Sequence, residues 1–298
     1  MQIIKRIFIF PLAALTLSTS LSAEVKVERF DTPELDQELQ HKTASKRIAA
    51  WFTRSHYKKI QLNDEISNKV YHKFLDNLDY NKSIYLQKDI DNFAKYQNQF
   101  DDGIIKGQLE FAFDFYQDSV KRRIARYKQA IKMLDTEMDF SKEDKFYFDR
   151  EEVTWAKTEA ELDEYWRQKT KYDALNLKLA GKEADKIKET LTKRYTNAMR
   201  RLSQSQSEDA FQVVMNSFAR SIEAHTSYLS PRRAERFNME MNLELEGIGA
   251  VLQPVDEFTV IRSLVPGGPA DSTEQLKPED KIIAVAQGDD DYVDVVGW

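Results

Sequence analysis

Proline placement constrains this chain more than any other feature. Between Glu34 and Ser230 there is no proline, and the glycines there are Gly103, Gly107 and Gly181. Beyond Ser230 the pattern inverts. Pro231, Pro254, Pro266, Pro269 and Pro278 follow, with Gly247, Gly249, Gly267, Gly268, Gly288 and Gly297. Proline breaks helix interiors and glycine supplies turns, so a long stretch without them favours helices and a dense one favours strands and turns. The expected fold class is α+β: a mainly α-helical N-terminal domain followed by a partial β domain.

Apolar periodicity supports the helical part. Leu109, Phe113, Tyr116, Val120, Ile124, Tyr127, Ile131 and Leu134 recur at spacings of three and four, one stripe along a long helix. Ile66, Val70, Phe74 and Leu78 make a shorter stripe, and Ile187, Leu191, Tyr195, Ala198, Met199 and Leu202 another. Ser205 and Glu208 have capping-box spacing ahead of Phe211, Val214, Met215, Phe218 and Ile222. Asp101-Asp102-Gly103 and Gly181 read as helix boundaries. After Met239 the grammar changes. Val251 and Leu252 lead through Pro254 to a turn at Asp256-Glu257, and Phe258 to Ile261 is rich in β-formers. Pro266-Gly267-Gly268-Pro269 is a loop signal, and Lys281 to Val285 reads as one strand.

The N-terminus reads as an export signal. Lys5 and Arg6 precede an apolar run from Ile7 to Leu17, then Ser18, Thr19, Ser20, Ser22 and Ala23. The run has the length of a signal-peptide core and is short for a membrane span. Cleavage near Ala23 is expected, although Leu21 is larger than the preferred residue there; the alternative is an uncleaved anchor. No later segment is apolar for long enough to cross a bilayer. The expected segments are 1–23 as signal peptide, 24–238 as helical domain and 239–298 as an incomplete β domain.

A net charge of −6 argues against a nucleic-acid partner. The chain has no cysteine, which excludes disulfides, thiol nucleophiles and thiolate metal sites. His41, His56, His72 and His225 lack metal-ligand spacing and read as surface or core-edge residues, and no cofactor is expected. Asp289-Asp290-Asp291 lacks the other positions of a calcium loop and reads as a solvated turn. Trp51, Trp155 and Trp166 read as core residues, and Lys121-Arg122-Arg123 and Arg200-Arg201 as exposed helix faces. Ser55-His56-Tyr57-Lys58 matches a Ser-x-x-Lys pattern without its companion motifs, and chance explains it.

The candidate site is Gly247-Ile248-Gly249-Ala250 with Val251 and Leu252. Two glycines around one apolar residue let successive N–H groups point into one space, which suits an anion. A strand edge beside them can pair with an extended peptide, so together they suit a C-terminal carboxylate. The same four residues also suit a plain tight turn.

Phe258 to Leu264, Val265-Pro266-Gly267-Gly268-Pro269-Ala270 and Leu276 to Val285 together resemble a bacterial PDZ domain, with Glu279 where that family carries glycine. His225 to Pro231 resembles the entry to the PDZ domain in carboxy-terminal processing proteases of the S41 type. Asp294 to Trp298 resembles the stretch after their Gly-Gln pair, seen here reversed as Gln287-Gly288. The helical region, with His56-Tyr57 and Leu78-Asp79-Tyr80, is similar to the N-terminal domain of the tail-specific branch. The resemblance implies a periplasmic serine endopeptidase that recognises apolar protein C-termini, with a Ser-Lys dyad and no metal. It also implies a helical-repeat lipoprotein adaptor and cell-wall hydrolases as substrates. The dyad is expected downstream of Trp298, so no catalytic residue is assigned here, and the isolated chain is expected to bind tails weakly or not at all and to aggregate through the segment beyond Met239. The alternative is a non-catalytic periplasmic module that binds peptide tails or partner proteins.

Overall fold

A computed structural model describes residues 30–298 except 137, 142–143, 243–246, 257, 287, 289–291 and 297–298. The export signal and the Asp289 to Asp291 turn lie outside the described residues. The chain divides between His225 and Thr226 into two compact units. Among the described residues no helix is long and apolar enough to cross a membrane.

The first unit is helical: α1 (Leu39–Arg54), α2 (Asp64–Asp79), α3 (Gln87–Phe93), α4 (Phe100–Lys106), α5 (Glu110–Met133), α6 (Glu159–Leu179), α7 (Ala184–Ser203) and α8 (Ser207–Ile222). The expected stripes face inward. Val70, Phe74 and Leu78 of α2 are buried, as are Phe113, Val120 and Ile124 of α5 and Ile187, Leu191, Tyr195 and Met199 of α7. Helix α2 packs on α8, and α5 on α7. Much of the core is aromatic. Phe93 stacks on Phe115 at 3.9 Å between ring centroids, and Tyr85 stacks on the same ring at 4.4 Å. Phe74 sits 5.5 Å from Phe100. Offset and tilted pairs of this kind add about 1 kcal/mol each to the burial of their surface.

One local boundary holds and other expectations change. Asp101, Asp102 and Gly103 do mark a helix boundary, the first turn of α4, and its other end falls at Gly107, which takes the left-handed conformation (φ 67°) that glycine adopts without strain. The α8 capping box is shifted by one residue to Gln206 and Asp209. Glu208 instead lies 3.1 Å from the buried His41 Nε2 of α1. Trp166 is buried, but Trp51 is 59% exposed, because it projects from the face of α1 opposite the core. Arg122 and Arg123 are braces rather than free surface. Arg122 bridges Asp118 at 2.6 Å and Asp89 at 2.9 Å, and Arg123 donates to the Leu78 carbonyl that ends α2.

One buried carboxylate organises the turn after α2. Asp79 accepts from the Ser83 N–H at 2.7 Å, from the Ile84 and Tyr85 N–H groups at 3.2 Å, and from Trp155 Nε1 at 3.2 Å. Burial pushes its carboxyl above the usual range, and these bonds pull it part of the way back.

The second unit begins with α9 (Pro231–Asn242) and continues through β1 (Ala250–Val255), β2 (Phe258–Leu264), α10 (Pro269–Thr273), β3 (Lys281–Ile282), β4 (Ala284–Val285) and β5 (Val293–Asp294). Strands β1, β2 and β3 form an antiparallel sheet in that order, and β4 pairs with β5. The single strand expected over Lys281 to Val285 is therefore split at Ile283, whose two sides pair with different strands. Among the described residues the chain is α+β, with eight of its α-helices in the first unit and both of its sheets in the second, beside α9 and α10.

Candidate functional site

The candidate residues lie at the start of β1. Gly247 to Gly249 form the bend that enters the strand, and Ala250, Val251 and Leu252 are its first half. Strand β1 is an edge of its sheet, as is β3: β2 lies on one side of β1, and among the described residues no strand lies on the other. Pro254 is tolerated within β1 because an edge strand has a side on which no N–H is required. A register shift between Val251 and Leu252 marks a bulge, and both side chains stand out of the sheet, 52% and 44% exposed.

Two backbone bonds fix the bend. Ala270 N–H donates to the Ile248 carbonyl at 2.8 Å, and Val265 N–H to the Gly249 carbonyl at 2.8 Å. In a trans peptide the C=O and N–H point in opposite directions. The Gly249 N–H therefore points away from α10, and the Ala250 N–H away from the strand with which β1 pairs. Gly249 has φ 73°, which favours glycine. A Cβ there would also stand 3.2 Å from both the Gly268 Cα and the Pro269 Cδ. Gly249 and Gly268 are thus a close backbone contact between the bend and the Pro-Gly-Gly-Pro loop. The sequence pattern signals each glycine separately, but only the fold brings them together. The six candidate residues are consecutive, and the structure adds Val265, Gly268 and Ala270 as the residues that hold them.

Glu279 is one of three described non-glycine residues of this unit at positive φ, with Asp256 and Glu274. It has φ 76° at the position where the PDZ domains that this segment resembles carry glycine. Its N–H donates to the Ile261 carbonyl at 2.7 Å, and Ile261 N–H donates to the Asp280 carbonyl at 2.9 Å. The turn thus keeps a glycine-like conformation with a side chain in place, at a cost of about 1 kcal/mol.

Elsewhere the chemistry-bearing patterns have structural partners. Lys58 Nζ donates to the Ile222 carbonyl at 3.1 Å and caps the C-terminal end of α8, so it serves a helix terminus and not Ser55. The exposed His225 lies 3.0 Å from Glu223. Among the described residues no three His, Asp or Glu side chains converge as metal ligands would.

Two comparisons place the chain. The family model described as "Tail specific protease N-terminal domain" matches residues 48–232, most of the helical unit and the entry to α9. The chain is 42% identical over 300 residues to the tail-specific protease of Haemophilus influenzae, an alignment that takes in 99% of this chain and 43% of that protein. The chain thus spans less than half the length of the curated relative it matches. The helices that build the aromatic core are the ones that the family model covers, and the chain belongs to the tail-specific protease family.

Proposed function

We propose that the chain is the N-terminal part of a periplasmic serine endopeptidase that recognises apolar protein C-termini and cleaves the captured protein with a Ser-Lys dyad located downstream of residue 298. Family membership supports the protease reading, and the H. influenzae relative is itself described as a tail-specific protease. The basic and apolar residues from Lys5 to Leu17 support export.

The observation that carries the recognition step is the free edge of β1 next to the Gly247–Gly249 bend. An incoming chain end would pair its backbone with β1 as an added strand, which supplies affinity with little dependence on sequence. Its carboxylate would meet the outward Gly249 and Ala250 N–H groups. Its apolar side chains would meet the exposed Ile248, Val251 and Leu252. This order fits a PDZ-like tail reader. A lysine can serve as base in the proposed dyad only where its site disfavours the ammonium form. A helical-repeat lipoprotein adaptor as partner and cell-wall hydrolases as substrates belong to the same proposal.

The test is a titration of the full-length protein with a labelled peptide ending in apolar residues, beside the same peptide with an amidated C-terminus. Binding of the free acid with loss of at least tenfold on amidation is expected. Equal binding of the two would remove the carboxylate site from the proposal, and loss of proteolysis on replacing the downstream serine would support the dyad.

A further inference from the structure

Helix α1 carries a cationic and aromatic face that the tail-reading site does not use. From Leu39 to Leu62 the sequence holds Lys42, Lys46, Arg47, Arg54, Lys58 and Lys59 and no acidic residue, in a chain whose net charge is −6. The helical cations of this unit are otherwise widely matched with acids. Arg122 is paired with Asp118 and Asp89, Arg126 with Glu159 and Asp163, Arg167 with Glu164 and Asp144, Lys169 with Asp173 and Lys186 with Glu189. In α1, Lys42 is bound to Glu110, and Lys58 beyond its end to the Ile222 carbonyl. Arg47, Arg54 and Lys59 are exposed and have no acidic partner among the described residues.

These residues share one side. Arg47, Trp51 and Arg54 follow the i, i+4, i+7 rule, opposite the face that buries His41, Ser45, Ala49 and Phe52. Trp51 is 59% exposed and touches Phe52 only edge-on, with ring centroids 5.8 Å apart. Tyr57, just past the helix, is 73% exposed. Trp, Tyr and Arg are the residues that dominate binding hot spots. The helix dipole accounts for Arg54 in the last turn but does not reach Arg47, two turns earlier.

We infer that the outer face of α1 is a docking surface for an acidic polypeptide segment, with Trp51 as its apolar anchor and Arg47 and Arg54 as its charge contacts. Charge complementarity selects the partner: unmatched guanidinium groups beside an indole favour carboxylates interleaved with apolar side chains. The inference is independent of tail recognition, because α1 belongs to the other compact unit.

The test uses a fluorescein-labelled Glu/Leu peptide with an amidated C-terminus, so that a carboxylate site is not engaged. Binding to the full chain on the order of 10 µM is expected, weakening as salt is raised. Double replacement of Arg47→Glu and Arg54→Glu, and separately Trp51→Ala, should each weaken binding at least tenfold, whereas Lys128→Glu on exposed α5 surface should leave it unchanged. Circular dichroism of each variant checks the fold, and the milder Arg47→Gln should still weaken binding if the charge reversals disturb α1. Failure of the peptide to bind, or equal binding by the double variant, overturns the inference. So does binding of phosphatidylglycerol vesicles in place of the peptide, which would make the face a lipid site, and so does Trp51-dependent dimerisation, which would make it a contact between copies.

Discussion

The two units treat their apolar residues in opposite ways. In the helical unit Phe74, Phe100, Phe113, Phe211 and Phe218 are almost wholly inaccessible, and rings pack on rings. In the second unit Val260, Ile261 and Ala270 are buried, while Ile248, Val251, Leu252, Val255, Val265, Ile283, Val285, Tyr292 and Val293 stand 44% or more exposed. A helix has one apolar stripe and can close it against neighbouring helices. A three-stranded sheet has two faces and two edges, and one five-residue helix, α10, does not cover them. The first unit buries most of its large apolar side chains in its own core, although Trp51, Tyr57 and Phe148 stand exposed. The second leaves most of its large apolar side chains exposed among the described residues.

The sharpest way to break this comparison is to delete core volume in the helical unit. Phe74→Ala should destabilise that unit by about 4 kcal/mol, because the ring is fully buried among Phe93, Phe100 and Phe115. Denaturant unfolding followed by far-ultraviolet circular dichroism would read this as a lower midpoint at unchanged slope.

Removing Asp79 should come next. Asp79→Ala would strand the buried N–H groups of Ile84 and Tyr85 and lose the Ser83 and Trp155 bonds, at a cost of about 3 kcal/mol. The same residue has a pH signature. Its carboxyl is raised in the folded state, so the folded protein holds the proton to higher pH than the unfolded chain does. Its contribution to stability is therefore fullest at or below the ordinary carboxylate value near 3.9 and declines as pH rises through the raised folded value. Asp79→Asn should remove that decline from the pH dependence of the unfolding free energy, and a variant that keeps the wild-type slope would contradict the assignment.

In the second unit the expected effects are smaller on stability and larger on binding. Gly249→Ala places a Cβ against Gly268 and Pro269 at positive φ, which should cost about 2 kcal/mol and abolish tail binding. Glu279→Gly should act the other way, stabilising the unit by about 1 kcal/mol through relief of the left-handed turn, since the exposed Arg262–Glu279 pair it removes contributes little. Leu252→Ser should change stability by no more than about 1 kcal/mol, because the side chain is only partly buried, yet weaken an apolar tail severalfold in the same titration. A large loss of stability from Leu252→Ser would show that the exposed face is part of a core.

Much of the helical unit was legible in the residues themselves. Stripes such as Val70, Phe74 and Leu78 are local, each residue three or four from the next, and a helix turns them to one side whatever surrounds it. The misplaced boundaries had close competitors. Ser205 and Gln206 both stand ahead of an acidic residue three positions on, and the contact of Glu208 with His41, 167 residues away, accompanies the shift to Gln206. Trp51 looked like core because tryptophan is usually buried, but its place on α1 is opposite the face that α4 and α8 cover.

The candidate residues from Gly247 to Leu252 were also legible as a glycine pattern before a strand. What the pattern could not supply was direction. The outward turn of the Gly249 and Ala250 N–H groups follows from bonds made by Val265 and Ala270, and the need for glycine at 249 follows from Gly268. The sequence by itself determined the apolar faces of α2, α5, α7 and α8, where the grammar turns to strands, and the family to which the chain is similar, because periodicity and turn chemistry act between near neighbours. Tertiary structure alone decided which carboxylates are buried, which cations are matched, where the strand from Lys281 to Val285 divides, and which strands form the edges of the sheet. Those outcomes depend on residues far apart in the chain, and a one-dimensional pattern does not say which of them will meet.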